Sequence, residues 1–361
     1  PKSVKYYVDR YFVDELTVID SEDYENNRVK PEKFKSIAQV INETLETRMF
    51  LLSDTAGQGK TTTFLKLTEE IKEMYPSKWV QFVDLKNFTK AFKNGKDLDL
   101  NTLDVLKNFI ADDLLNLRGL QRDIFLNLFD SGDVSFLWDG YDEISLNHND
   151  FVIQLISEIR NQPRTIQFLS TRTQNSEILC KELGIKAHKL VPLGPAERFD
   201  LFINYIIVES YYIEINRFLK DFVGNISIKL ENIEQNVYGT QLEENLVTMA
   251  ELMSSKLNLD HLVLLKMFKT ILRGKKVFNS MENSKNENRF VTNPLLIRII
   301  GELVSDDKFD DEKSYNFYVI FKAFILKKIN NDYKGIDDTF YNQGNIKKTH
   351  QAYALKFIFS V

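Results

Sequence analysis

The chain has 361 residues, 43% of them hydrophobic and 27% charged, the composition of a globular protein long enough for two or three domains. A net charge of −5 excludes a global basic field of the kind that recruits nucleic acid or an anionic membrane. The single cysteine, Cys180, excludes an internal disulfide framework and fits a reducing, cytoplasmic compartment, and no apolar run reaches the length of a membrane span.

In chain order, residues 1–30 begin with the aromatic, β-prone run Tyr6 to Val13 and pass into an acidic loop. Residues 31–46 read as a helix, with Phe34, Ile37, Val40 and Ile41 on one face. A first core strand is predicted at 47–53, followed by a glycine loop and a helix over 61–75 that ends before Pro76. Trp79 to Leu85 reads as a buried strand, and 101–130 as helix from the spacing of Leu103, Leu106, Phe109, Ile110, Leu114 and Leu115. Val134 to Trp138 is a strand that runs into Asp139. A helix at 149–161 is stopped by Pro163, and further strands are predicted at 165–170 and 187–191. Strands alternating with helices over about 45–195 imply a parallel sheet covered on both faces, with ligands bound at the carboxyl ends of the strands. Beyond 196 helical patterns dominate, at 199–208, 246–272 and 294–304.

The fold class expected is α/β: a three-layer P-loop NTPase parallel sheet followed by an all-helical domain. The expected domains are an N-terminal segment and linker helix at 1–45, a nucleotide-binding domain at 46–195, a helical domain at 196–345, and the start of a further domain at 346–361. The terminal apolar run Leu355 to Val361 reads as the edge of a longer protein.

Three motifs carry chemistry. Ala56-Gly57-Gln58-Gly59-Lys60-Thr61-Thr62 lies between an apolar strand and a helix. Glycines let backbone N–H groups approach phosphates, and the helix N-terminus adds partial positive charge. Lys60 is placed to reach the β- and γ-phosphates, and the Thr61 hydroxyl to reach Mg2+. The full loop pattern has glycine where Asp54 stands. An acid there repels phosphate unless its side chain points away or caps a turn. Asp tolerates turn and left-handed conformations, so a distorted but usable loop is expected. The second motif is Asp139-Gly140-Tyr141-Asp142-Glu143 at the end of an apolar strand. Asp139 suits Mg2+, and a following acid suits the attacking water, with Glu143 the first choice and Asp142 next. The third is Ser170-Thr171-Arg172, where arginine can match phosphate oxygens.

Together these motifs resemble the NACHT nucleoside triphosphatases, a branch of the signalling (STAND) NTPases that includes the NOD-like receptors. Asp54-Thr55-Ala56-Gly57-Gln58-Gly59-Lys60-Thr61 departs from that family's loop at the first position alone, and Asp139-Gly140-Tyr141-Asp142-Glu143 matches its acidic motif throughout. Ser170-Thr171-Arg172 is similar to its sensor strand, Pro192 to Phe202 to the segment after its last strand, and Asn293-Pro294-Leu295-Leu296 to a motif of its helical domain. The resemblance spans about 45–300. It implies ATP or ADP with Mg2+, a weak ATPase, and contact of Pro294 and the Tyr7–Arg10 region with the adenine side. It also implies self-association or a signalling protein partner. His350 lies where the family's winged-helix domain would begin. His148, His188, His261 and His350 show no metal-ligand spacing, and Cys180 has no readable catalytic partner.

Three functions compete on these residues. The first is a nucleotide-controlled switch with slow hydrolysis by Glu143. The second is a scaffold stapled by nucleotide without turnover, motivated by Asp54. The third, a kinase using the same loop, is opposed by the Asp-Gly-x-Asp-Glu motif and the helical second half.

Overall fold

The computed structural model describes residues 7–17, 34–144, 146–194, 197–202, 205, 265–266, 269–274, 276–277, 293–304 and 320. The chain divides into two compact units, Pro1–Pro192 and Leu193–Val361.

The first unit is built on a six-stranded sheet. Its strands are β1 (Phe12–Asp14), β2 (Met49–Ser53), β3 (Trp79–Asp84), β4 (Val134–Asp139), β5 (Ile166–Thr171) and β6 (Ala187–Leu190), in the spatial order β1-β6-β2-β5-β4-β3. β2 to β6 are parallel, and β1 alone runs antiparallel, pairing Phe12 with Leu190. This is the α/β fold of a P-loop NTPase, with β5 inserted between the strand that leads into the glycine loop and the strand that ends in Asp139. Every residue of β2, β4 and β5 is buried. A strand covered on both faces is rich in apolar residues, and the buried polar ones take partners: Trp138 Nε1 donates to Gln167 Oε1 at 2.9 Å, and Ser170 Oγ donates to Asp139.

Alternation along the strands separates two cores. Met49, Leu51, Phe136, Trp138 and Leu169 face one layer of helices. That layer contains α3 (Thr89–Gly95), α4 (Leu103–Asn108), α5 (Gly119–Ser131), α6 (Asn149–Asn161) and α7 (Thr173–Leu183), which contribute Phe92, Leu106, Phe125, Phe151, Leu155 and Leu179. Phe50, Leu52, Leu137 and Phe168 face α1 (Ile37–Thr47) and α2 (Lys60–Met74) through Val40, Ile41, Phe64, Leu67 and Ile71. α1 starts at a capping box: the Gln39 amide N–H donates to Ser36 Oγ, and the Ser36 N–H to Gln39 Oε1 at 2.8 Å.

The structure corrects the reading of 101–130 as one helix. α4 ends at Asn108, a π-helical turn covers Phe109–Leu114, and the chain reverses through Asn116 at φ 51° before α5. Asparagine tolerates this left-handed conformation. Arg122 Nε then donates to Asp112 Oδ1 and Nη2 to Asn108 Oδ1, both at 2.7 Å, folding the two halves together. Apolar periodicity continues across the break because both halves face the same core. α3 and α7 are helices the sequence reading did not place.

In the second unit α8 (Pro294–Val304) begins on its motif: Asn293 Oδ1 accepts from the Leu295 N–H at 2.9 Å, and Pro294 takes the first helical position. Residues 197–202 are helical, and Tyr205 packs against Gly301. Most of 246–272, all of 346–361 and His350 lie outside the described residues. No helix among the described residues is long and apolar enough to cross a membrane.

Candidate functional site

Parallel strands bring their carboxyl ends to one edge, and the motifs meet there. The loop after β2, Asp84 of β3, Asp139 of β4, Thr171-Arg172 of β5 and Leu190 of β6 line that edge, with Ser53 paired to Thr171 and Asp84 to Asp139.

The glycine loop turns on Gly57 at φ 82° and Gly59 at φ 93°, conformations open to glycine at little cost. Gly59 is the N-cap of α2, and no side chain caps this helix, so its first N–H groups and its dipole face the loop. Thr55, Ala56 and Thr61 are exposed on the rim, and Gly57, Gln58, Gly59, Lys60 and Thr62 are half-buried. Lys60 Nζ donates to the carbonyls of Asp54 at 2.6 Å and Thr55 at 3.0 Å. Burial lowers the Lys60 pKa, against the opposing pull of Asp54 and Asp142.

Asp54 differs from its expected conformation. Its φ is not positive, so the backbone at 54 does not call for glycine, and the left-handed tolerance of Asp is not used. Its carboxylate turns towards backbone donors: Oδ1 accepts from the Thr55 N–H at 2.7 Å and Oδ2 from the Leu190 N–H at 3.0 Å. Burial pushes its pKa up, and these two bonds oppose that push.

Asp139 is 5% exposed. Thr61 Oγ1 donates to its Oδ2 at 2.6 Å, and Ser170 Oγ donates to its Oδ1. Ser170 Oγ also accepts from the Gly140 N–H at 3.0 Å. Burial raises the Asp139 pKa, the two hydroxyls lower it, and the charges of Asp84 and Glu143 raise it further. A hydroxyl beside a carboxylate fits Mg2+, which takes one or two carboxylates and completes its shell with water and phosphate. Among the described residues no cage of three or more His, Cys, Asp or Glu side chains forms.

Beyond Asp139 the acids are ion-paired. Asp142 Oδ2 meets Arg172 Nε at 2.6 Å, and Glu143 Oε2 meets Lys86 Nζ at 3.1 Å. Lys86 also approaches Asp84 Oδ2 at 3.4 Å, and the Glu143 hydrogen bond raises its pKa. From the N-terminal segment the buried Arg10 donates from Nη1 to the Gln58 carbonyl and from Nη2 to the Val191 carbonyl, each at 3.1 Å. Pro294 opens α8 in the second unit.

Sequence reasoning missed Asp84, Lys86 and the role of Ser170. Ser170 stood in a quoted motif. Asp84 lies near the end of the strand predicted at 79–85, and only the pairing of β3 with β4 brings it beside Asp139.

No protein-family model matches this chain, and no curated protein does. Solved structures are distantly similar. PCH-2 of C. elegans is 12% identical, with 80% of this chain and 71% of that one covered at a TM-score of 0.35. The replication initiator DnaA bound to AMPPCP and single-stranded DNA is 12% identical, with 86% and 91% covered at 0.31. AMPPCP-bound DnaA from Aquifex aeolicus is 10% identical, with 93% and 96% covered at 0.33. At these identities and TM-scores the likeness assigns this chain no ligand and no activity.

Proposed function

We propose that this chain is a nucleotide-controlled molecular switch of NACHT type, which binds ATP or ADP and hydrolyses ATP slowly. One observation carries the reading. The 2.6 Å bond from Thr61 to Asp139 joins the glycine loop to the acidic strand across 78 residues of sequence, at the carboxyl edge of a parallel sheet. Backbone donors, a lysine, a hydroxyl and a carboxylate then surround one spot, which is the arrangement phosphoryl chemistry needs.

Thr61 and Asp139 are the residues that would hold Mg2+, which would neutralise phosphate charge there. The side chains around the spot, Asp54, Asp84, Asp139, Asp142, Glu143, Arg10, Lys60, Lys86 and Arg172, are five acids against four bases. A polyanion therefore gains little there without a divalent cation. Lys60 binds the outer phosphates, Glu143 orients and deprotonates the attacking water, with Asp142 the second candidate, and Arg172 senses the terminal phosphate. A switch needs contacts that differ between the two nucleotides, and Lys60 and Arg172 supply them. Thr55, Ala56, Gly57, Gln58, Gly59 and Thr62 cradle phosphate. The readout is self-association or docking of a signalling partner in the cytoplasm, which the single cysteine in 361 residues supports.

A second reading has its own observation: Asp142 and Glu143 are both committed to ion pairs. On it nucleotide staples a scaffold without turnover. The deciding experiment identifies the nucleotide that co-purifies with the wild type and with Lys60→Ala, and measures turnover in the wild type and Glu143→Gln. ADP in the wild type, none in Lys60→Ala, and slow turnover lost in Glu143→Gln support the switch. Nucleotide in the wild type with equal, background turnover in both supports the scaffold. No nucleotide, with no thermal shift on adding Mg-ATP, refutes both.

A further inference from the structure

We propose that Asp54 is a positioning residue that ties the glycine loop to the end of β6, so that nucleotide in the loop is felt where the chain leaves the first unit. The proposal rests on the nucleotide-binding reading above.

Four bonds meet at this residue. Its carboxylate accepts from the Thr55 N–H at 2.7 Å and the Leu190 N–H at 3.0 Å, its own N–H donates to the Thr171 carbonyl at 3.3 Å, and its carbonyl accepts from Lys60 Nζ at 2.6 Å. Asp54 therefore touches the end of β5, the end of β6, the loop turn and the loop lysine. Since its φ is not positive, glycine would gain nothing from its backbone freedom here and would take the acceptor away from Leu190.

A second staple runs beside the first. Arg10 joins the Gln58 carbonyl in the loop to the Val191 carbonyl, and the Val191 N–H donates to the Tyr11 carbonyl at 2.8 Å. Leu190 and Val191 are thus held by an acid and a base that both reach the loop, and the unit boundary follows Pro192. Coupling needs a contact that differs between the two states of the loop. The bond from Lys60 to the Asp54 carbonyl is that contact. The three donors of an ammonium are shared between the loop carbonyls and any phosphate that enters, and Asp54 carries the change across to Leu190.

The test reads amide hydrogen exchange at Leu190–Val191 in the full chain, with and without Mg-ADP, alongside equilibrium dialysis of Mg-ADP on the same samples. In the wild type, exchange there is expected to change about fivefold or more on Mg-ADP binding, the lower end of ordinary coupling. Asp54→Gly is expected to bind Mg-ADP and lose that change. Asp54→Asn, whose amide oxygen can still accept from Leu190, is expected to keep it. Asp54→Ala carries the same expectation as glycine should the glycine variant fail to fold. Bound Mg-ADP with an unchanged wild-type exchange rate, or the same change in Asp54→Gly or Asp54→Ala as in the wild type, overturns the coupling and leaves the nucleotide reading standing. No Mg-ADP binding in the wild type overturns both.

Discussion

Ser170→Ala removes one hydroxyl and disturbs a buried carboxylate and a half-buried N–H. Ser170 is fully buried and Asp139 is 5% exposed, so water does not replace what is lost. Asp139 Oδ1 loses its donor, and a hydrogen bond to a charged group contributes about 1.5–3 kcal/mol. The half-buried Gly140 N–H loses its acceptor, which costs no more than the about 1–3 kcal/mol of a fully buried unsatisfied donor. The two effects share one atom and are not additive, so the expected destabilisation is about 2–4 kcal/mol. For a unit of this size that lowers Tm by roughly 5–15 °C. The assay is urea and thermal unfolding without nucleotide, comparing wild type, Ser170→Ala and Ser170→Thr, with the urea m-value unchanged. Threonine keeps the hydroxyl and is expected to recover at least half of the loss. Loss of the Ser170 hydroxyl also leaves Asp139 held by Thr61 alone, so stabilisation by Mg-ADP should shrink as well. A Ser170→Ala chain within about 0.5 kcal/mol of wild type, the range of an ordinary surface change, would refute this account of how Asp139 is held.

Further outcomes follow from the same geometry. Burial raises the Asp54 pKa, so the folded protein holds that proton more tightly than the unfolded chain. Its stabilising contribution is complete below the ordinary carboxylate value and is lost as pH rises through the raised one. Asp54→Asn does not titrate, so it should gain on wild type by up to about 1.4 kcal/mol per pH unit above pH 4 and then level off; parallel unfolding profiles from pH 4 to 8 would contradict this. Lys60→Ala should abolish the thermal shift on Mg-ADP, which in wild type amounts to about 2.7 kcal/mol at a hundredfold excess over Kd. The half-exposed pair of Lys86 and Glu143 contributes under about 1 kcal/mol. Glu143→Gln should accordingly leave Tm nearly unchanged while eliminating turnover, as phosphate release and calorimetry would record. Gly132 sits at φ 75°, and a Cβ there would lie 2.0 Å from the Pro163 carbonyl oxygen. Gly132→Ala should cost more than the about 1 kcal/mol typical of a mismatched left-handed site, read as a lower urea midpoint.

Much of this molecule is contained in short stretches of sequence. The buried strands β2, β4 and β5 are rich in apolar residues because both faces of the sheet are covered, and that property belongs to each strand separately. The glycine loop is local too: Gly57, Gly59, Lys60 and the start of α2 are neighbours in the chain, so their conformations and roles are legible there. The break between α4 and α5 was not legible, because the apolar spacing that predicts a helix continues on both sides of Asn116. What tertiary structure alone decided is which strand lies beside which. Insertion of β5 between β2 and β4 brings Ser170 to Asp139 across 31 residues, and the placing of β6 beside β2 brings Leu190 to Asp54 across 136. It also turns the one departure from the loop pattern into a hydrogen-bonded junction, and it pairs Lys86 with Glu143 and Arg172 with Asp142. Local periodicity reports the environment of a residue along its own element, whereas strand order is set by how crossovers pack helices on the sheet. Side-chain partners between strands therefore appear only once the layers are assembled.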